Sequence, residues 1–217
     1  MPSVFPGAID NFTDPLSGSA LNSPSHSAQH ADLNDAAEKI ETFMGLVKVV
    51  PTSVTGGTLS ATGTVTIGSA RSSVVINGAF SSLYEDYRVV VSGVAVSAPN
   101  NSSYALISNS VGATYSANGI YMIPTSATVN GLAQNQQTTG FWLGITGGTW
   151  SATFDICNPF LATATNVVGQ SAGSGATSYY NTFMGADSNA ASSTGLAFVQ
   201  QSSTWTGGTI AIYGYRI

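Results

Sequence analysis

Residues 87–97 read YRVVVSGVAVS. β-Branched residues crowd this run, and a glycine interrupts it. Such composition fits a pleated surface and works against a helix. Similar short runs recur on both sides with turn residues between them. They include SSVVING (72–78), SYALISNS (103–110), GIYMIP (119–124), TGFWLGIT (139–146), WSATFDICN (150–158), TNVVGQSA (165–172), YNTFMGA (180–186), TGLAFVQQ (194–201) and GTIAIYGYRI (208–217). Turn signals stand at PNN, NG, GG and GSG. No helical period appears from residue 51 onward. Eight to ten short strands so spaced predict an antiparallel β-sandwich or jelly roll over 69–217. Residues 51–68, PTSVTGGTLSATGTVTIG, read as a Gly/Thr-rich connector ending in a first strand at Val65 and Ile67.

Composition narrows the function classes. Hydrophobic residues make up 43% of the 217, ample for a core. Charged residues make up only 7%, against about 25% in ordinary domains. With a net charge of −5 and no Lys/Arg cluster, nucleic acid is not an expected partner. No 18-residue apolar run is present, so membrane insertion by a helix is not expected. The N-terminus lacks the basic and apolar regions of a secretory signal. One cysteine, Cys157, precludes an intrachain disulfide and reads as a small core residue.

The front of the chain differs. Eight of the fifteen charged residues lie in residues 1–50, which places a boundary near Pro51. Residues 1–22 carry prolines at 2, 6 and 15 and read as an extended arm. Its apolar residues Val4, Phe5, Ile9, Phe12 and Leu16 exceed a linker's need and predict anchoring on a partner. Residues 23–50 read as an amphipathic helix that serves oligomerisation. Ser23 is the N-cap, Pro24 the first helical residue and Gly45 the C-terminal signal. Leu33, Ala36, Ile40, Phe43 and Val47 recur at spacings of 3 and 4, the seam of a short parallel coiled coil. The same face also suits packing on the chain's own domain.

Chemistry is sparse. His26 and His30 share a helical face at i,i+4, but no third ligand completes a metal set. Glu85 and Asp86 are adjacent, so on a strand they point to opposite faces and cannot flank a glycosidic bond. No nucleophile elbow is present, and TGGT and GSG lack the Lys-Ser/Thr of a phosphate loop. The chain is expected to be non-enzymatic, with no cofactor and no metal. Tyr179, Tyr180 and Asn181, which follow the turn-rich GSGATS, are the candidate receptor contacts. Flat rings and amides there suit sugars or protein.

The segment NFTDPLSGSALNSPSHSAQHADLNDAAEKIE (11–41) resembles the N-terminal segment of tail fibre and minor tail proteins of double-stranded DNA bacteriophages. The resemblance rests on Phe12, Asp14, Pro15, Ser23 to Ser27, Gln29, His30, Asn34, Asp35 and Ala36. LYEDYRVVVSGV, FDICNPF and WTGGTIAIYGYRI are similar to a β-rich module of phage structural proteins. The resemblance implies a homotrimeric virion protein, assembled in the host cytoplasm and released by lysis. Its arm would dock on other tail, baseplate or capsid proteins, and its β domains would face host surface glycan or protein. The chain has no long shaft, so a short tail fibre or tail tip fits best. A head fibre, capsid decoration or baseplate protein without a receptor role is the alternative.

Overall fold

The computed structural model describes residues 30–31, 33–37, 45–98, 100–107, 115–124, 126, 128–175 and 178–215. The chain divides into two units, one up to Gly45 and one from Leu46 to Tyr215. In the first, 30–31 and 33–37 are helical, with His30 and Leu33 exposed and Ala36 buried. The anchoring residues Val4, Phe5, Ile9, Phe12 and Leu16, together with His26, Ile40 and Phe43, lie outside the described residues.

The described residues of the second unit form antiparallel sheets, and sixteen strands follow among them in chain order. They are β1 (Leu46–Lys48), β2 (Ser53–Thr55), β3 (Gly57–Leu59), β4 (Val65–Ile67), β5 (Ser73–Asn77), β6 (Asp86–Val96), β7 (Asn101–Ile107) and β8 (Tyr115–Ile123). They continue as β9 (Thr128–Gln137), β10 (Phe141–Thr146), β11 (Thr149–Cys157), β12 (Thr165–Ser174), β13 (Tyr179–Asp187), β14 (Leu196–Gln200), β15 (Trp205–Thr206) and β16 (Thr209–Tyr215). A large sheet runs β3-β4-β16-β6-β11-β12-β13-β8-β9, with β1 also on β16 and β15 on β6; a five-stranded sheet runs β10-β7-β14-β5-β2.

Two expectations change here. The helix predicted over 23–50 does not reach its end: Leu46–Lys48 is β1, paired antiparallel with β16. Gly45, at φ 95°, breaks the backbone direction just before it, and the β-branched Val47, Val49 and Val50 favour extension. Val47 therefore lies opposite Gly214 in a ladder and is no coiled-coil seam residue. Residues 51–68 are no mere connector either. They supply β2 to the small sheet and β3 and β4 to the large one.

Alternation sets the core. β11 turns Trp150, Ala152, Phe154 and Ile156 inward and Ser151, Thr153, Asp155 and Cys157 outward. Rings tie the sheets together. Phe198 of β14 meets Phe154 at 6.2 Å and Trp205 at 5.9 Å, and within the large sheet Trp205 stacks on Trp150 at 5.8 Å. Trp205 Nε1 donates to Gln200 Oε1 at 2.6 Å, so a polar bond between the sheets lies inside this aromatic cluster. Burying one such ring contributes on the order of 3 kcal/mol. The core thus fixes which way every outward residue points.

Candidate functional site

With the core side filled, the other side of the large sheet becomes the surface of interest. Register aligns its outward residues in rows. Val129, Met122, Tyr180, Ala172 and Ser151 form one row across β9, β8, β13, β12 and β11. Ile120, Thr182, Gln170 and Thr153 form the next, and Met184 pairs with Val168 in a third. Ile120, Met122, Val129, Val168, Tyr180 and Met184 are all about half exposed or more. Large apolar side chains on this many neighbouring strands form one patch, which soluble surfaces usually avoid.

The patch is concave. A shallow hollow of about 540 Å³ is lined by residues that include Tyr180, Met122, Ile120, Gln170, Thr182 and Thr153. A second hollow of about 440 Å³ lies further along the same strands, between Met184, Val168, Asn166 and Cys157. Among the described residues, no charged side chain lines either one. On the same outward side, Arg88 and Asp155 form an ion pair. Arg88 donates to both Asp155 oxygens at 2.8 Å, and Tyr215 donates to Oδ1 at 2.8 Å. The Arg88 hydrogen bonds hold the Asp155 carboxyl below its ordinary range, against the opposing effect of partial burial. Burial, then its bond to Asp155, pushes the Tyr215 phenol up.

The three candidate receptor residues separate in the structure. All lie in strand β13, not in a loop. Tyr180 is 52% exposed and stands in the middle of the apolar rows. Tyr179 points inward, 6% exposed, and its hydroxyl donates to Asn100 Oδ1 at 2.6 Å. Asn181 is 3% exposed and bonds both polar groups of one residue in β10. Its Oδ1 accepts from Ile145 N at 3.1 Å and its Nδ2 donates to Ile145 O at 3.3 Å. Ser171 Oγ, which accepts from Asn181 Nδ2, donates in turn to Leu143 O at 2.7 Å. Two side chains thus occupy the edge of β10 as a neighbouring strand would. Tyr179 and Asn181 are therefore corrected from contact residues to structural ones. Alternation on β13 is the physical reason, since only every second side chain reaches the outer face.

The approach of Asn181 needs Gly144. That residue has φ 119°, sits where the β10–β7 register shifts, and would place a Cβ 2.5–2.7 Å from Ser171 and Asn181. The outward hydrophobics on β8 and β9 escaped sequence reading. Their signal is an alternation whose both faces are apolar in places, as in Gly-Ile-Tyr-Met-Ile over 119–123.

Remaining candidates fall into structural roles. Asp86 Oδ1 accepts from Asn158 N at 3.1 Å and closes the turn after β11. Cys157 is half-buried on the outward side rather than in the core, and burial followed by the Asp86 charge pushes its thiol up. Among the described residues no three His, Cys, Asp or Glu side chains stand together as a metal set. No protein-family model, curated protein or solved structure matches this chain.

Proposed function

We propose that this chain is a structural virion protein of a tailed bacteriophage, a short trimeric tail fibre or tail-tip protein. In this reading the N-terminal arm attaches to other virion proteins, and the β unit, a β-sandwich of the two sheets, meets the host surface. The sequence resemblance over residues 11–41 supports the phage assignment. One structural observation supports contact as the task of the β unit: the uncharged, concave, half-apolar outer face centred on Tyr180. Tyr180 offers a ring face, and Gln170, Thr182, Thr153 and Ser151 offer neutral donors and acceptors around it. That chemistry fits a neutral saccharide or an uncharged protein surface.

The coiled coil over 33–47 is not part of this proposal, because Val47 belongs to a sheet. Trimerisation is proposed through the residues before Gly45 together with contacts between β units. The test is binding of the full-length protein to a panel of bacterial cells and of their purified surface polysaccharides. Wild type binds at least one, and Tyr180→Ala weakens that binding ten-fold or more. Equal binding by both proteins would remove Tyr180 from the site. A second reading, a head fibre, decoration or baseplate component, is favoured by the same lack of charge. Such a face packs against a neighbour without desolvating ions. Wild type that binds no cell or polysaccharide, yet incorporates stably into particles, selects that reading.

A further inference from the structure

Asparagine followed by glycine is the dipeptide most prone to lose its side-chain amide, because no Cβ on the glycine hinders its nitrogen from reaching the asparagine Cγ. Three such pairs occur here, Asn77–Gly78, Asn118–Gly119 and Asn130–Gly131. The structure sorts them. Ring closure requires the asparagine backbone to leave the extended conformation of a strand, where ψ of about +135° turns the following nitrogen away from the side chain. Asn118 and Gly119 lie inside β8, laddered to β13 on one side and β9 on the other. Asn130 and Gly131 lie inside β9, opposite Tyr121 and Ile120 of β8. Either pair cyclises only after a ladder opens from within. Asn77 is the last residue of β5 and is exposed. Its ladder partner is Ser53 of β2, while the ladder with β14 has already ended at Ile76. Gly78 lies beyond the strand and turns at φ 66°. Here only the end of one ladder must open, the kind of local opening that costs least.

We infer that Asn77 is a site of spontaneous deamidation in the folded protein, and that the strands protect Asn118 and Asn130. The Gly78 nitrogen attacks the Asn77 Cγ and gives its proton to water. The Cγ–Nδ2 bond breaks, and the nitrogen leaves as ammonia with a proton taken from water. A second water opens the cyclic imide at either carbonyl, which yields aspartate or isoaspartate. The local bonds show what this changes. Asn77 O accepts from Thr52 N at 2.8 Å and from Thr52 Oγ1 at 3.1 Å, and Asn77 Nδ2 donates to Ser53 Oγ at 3.1 Å. Loss of ammonia removes the bond to Ser53. Isoaspartate routes the main chain through one extra carbon and draws the carbonyl off Thr52. β2 ends the small sheet and has its ladder only on β5, so its hold on the sheet weakens. The reaction also adds a carboxylate to a chain with few charges. It is independent of the proposed host contact, which lies on the other sheet.

The test stores the full-length protein in mildly alkaline buffer, once folded and once in urea. Peptide mass mapping follows the three pairs over time, and circular dichroism confirms that the folded sample stays folded. In urea all three pairs are expected to convert at like rates, since the dipeptide is the same. In the folded protein Asn77 is expected to convert, to a mixture of aspartate and isoaspartate, while Asn118 and Asn130 keep their amides. Stored wild type is expected to melt below fresh protein. Asn77→Gln, which closes the imide route at an exposed position, is expected to melt after storage as it does when fresh. Folded protein in which Asn77 keeps its amide while the urea sample converts overturns the inference. So does folded protein in which Asn118 or Asn130 converts as fast as Asn77. Wild type converted at Asn77 that melts as fresh protein does overturns the loosening of β2.

Discussion

Replacing Asn181 by alanine separates its structural role from the binding role proposed for the adjacent Tyr180. Asn181 is 3% exposed and makes three bonds, two to the Ile145 backbone and one to Ser171. Alanine leaves the Ile145 N–H and C=O at the edge of β10 without their side-chain partners. An orphaned buried polar group costs about 1–3 kcal/mol, so the pair is worth roughly 2–4 kcal/mol after partial relaxation. Melting temperature falls by about 2–4 °C per kcal/mol in a unit of this size, which predicts a drop of about 4–16 °C. The neighbouring Tyr180→Ala removes a half-exposed ring and shifts stability by no more than ~1 kcal/mol. Thermal unfolding followed by circular dichroism reads both variants side by side. An Asn181→Ala protein that melts within a degree of wild type would refute the edge-closing role. A Tyr180→Ala protein that melts as low as Asn181→Ala would refute the assignment of Tyr180 to the surface.

Three further outcomes follow from the same geometry. Gly144→Ala is expected to destabilise by at least ~2 kcal/mol, through its positive φ and the Cβ contact with Ser171 and Asn181; denaturant titration reads it. Asp155→Asn is expected to lower stability at pH 7 by about 0.5–1 kcal/mol, a value kept small by solvent around the 38% exposed Arg88 side chain. The folded Asp155 carboxyl lies below its unfolded value of about 3.9, so its contribution is present above that pH and fades as pH falls through the folded value. Wild-type and Asp155→Asn unfolding curves should therefore converge in acid and differ at neutrality. Cys157 is expected to react more slowly with a disulfide reagent at pH 8 than a free cysteine does, because burial and nearby carboxylates hold its thiol protonated; a rate equal to the free amino acid would contradict this.

Strand content was legible because side-chain alternation is local. The runs at 72–78, 87–97 and 150–158 contain β5, most of β6 and most of β11. Sheet membership was not legible, because it depends on pairing between distant residues. Nothing local reveals that β2 and β3, with Gly56 alone between them, join different sheets. The end of the helical segment was misread because Val47 continues a heptad spacing by coincidence, while the valines around it favour a ladder with β16. Tyr180 was expected beside a turn-rich segment and stands instead within strand β13, its ring on the outward side. Its neighbours Tyr179 and Asn181 went astray with it because a strand period of two was not applied there. Met122, Ile120, Val129 and Val168 could not be told from core residues by hydrophobicity alone, since only register shows which side they face.

The most direct measurement is the affinity of the full-length protein, wild type against Tyr180→Ala, for a panel of bacterial cells. Contact through the outer face of the large sheet predicts that wild type binds at least one strain and that the variant, melting as wild type does, loses ten-fold or more. Undiminished binding by the folded variant, or no binding by wild type to any strain, would contradict it.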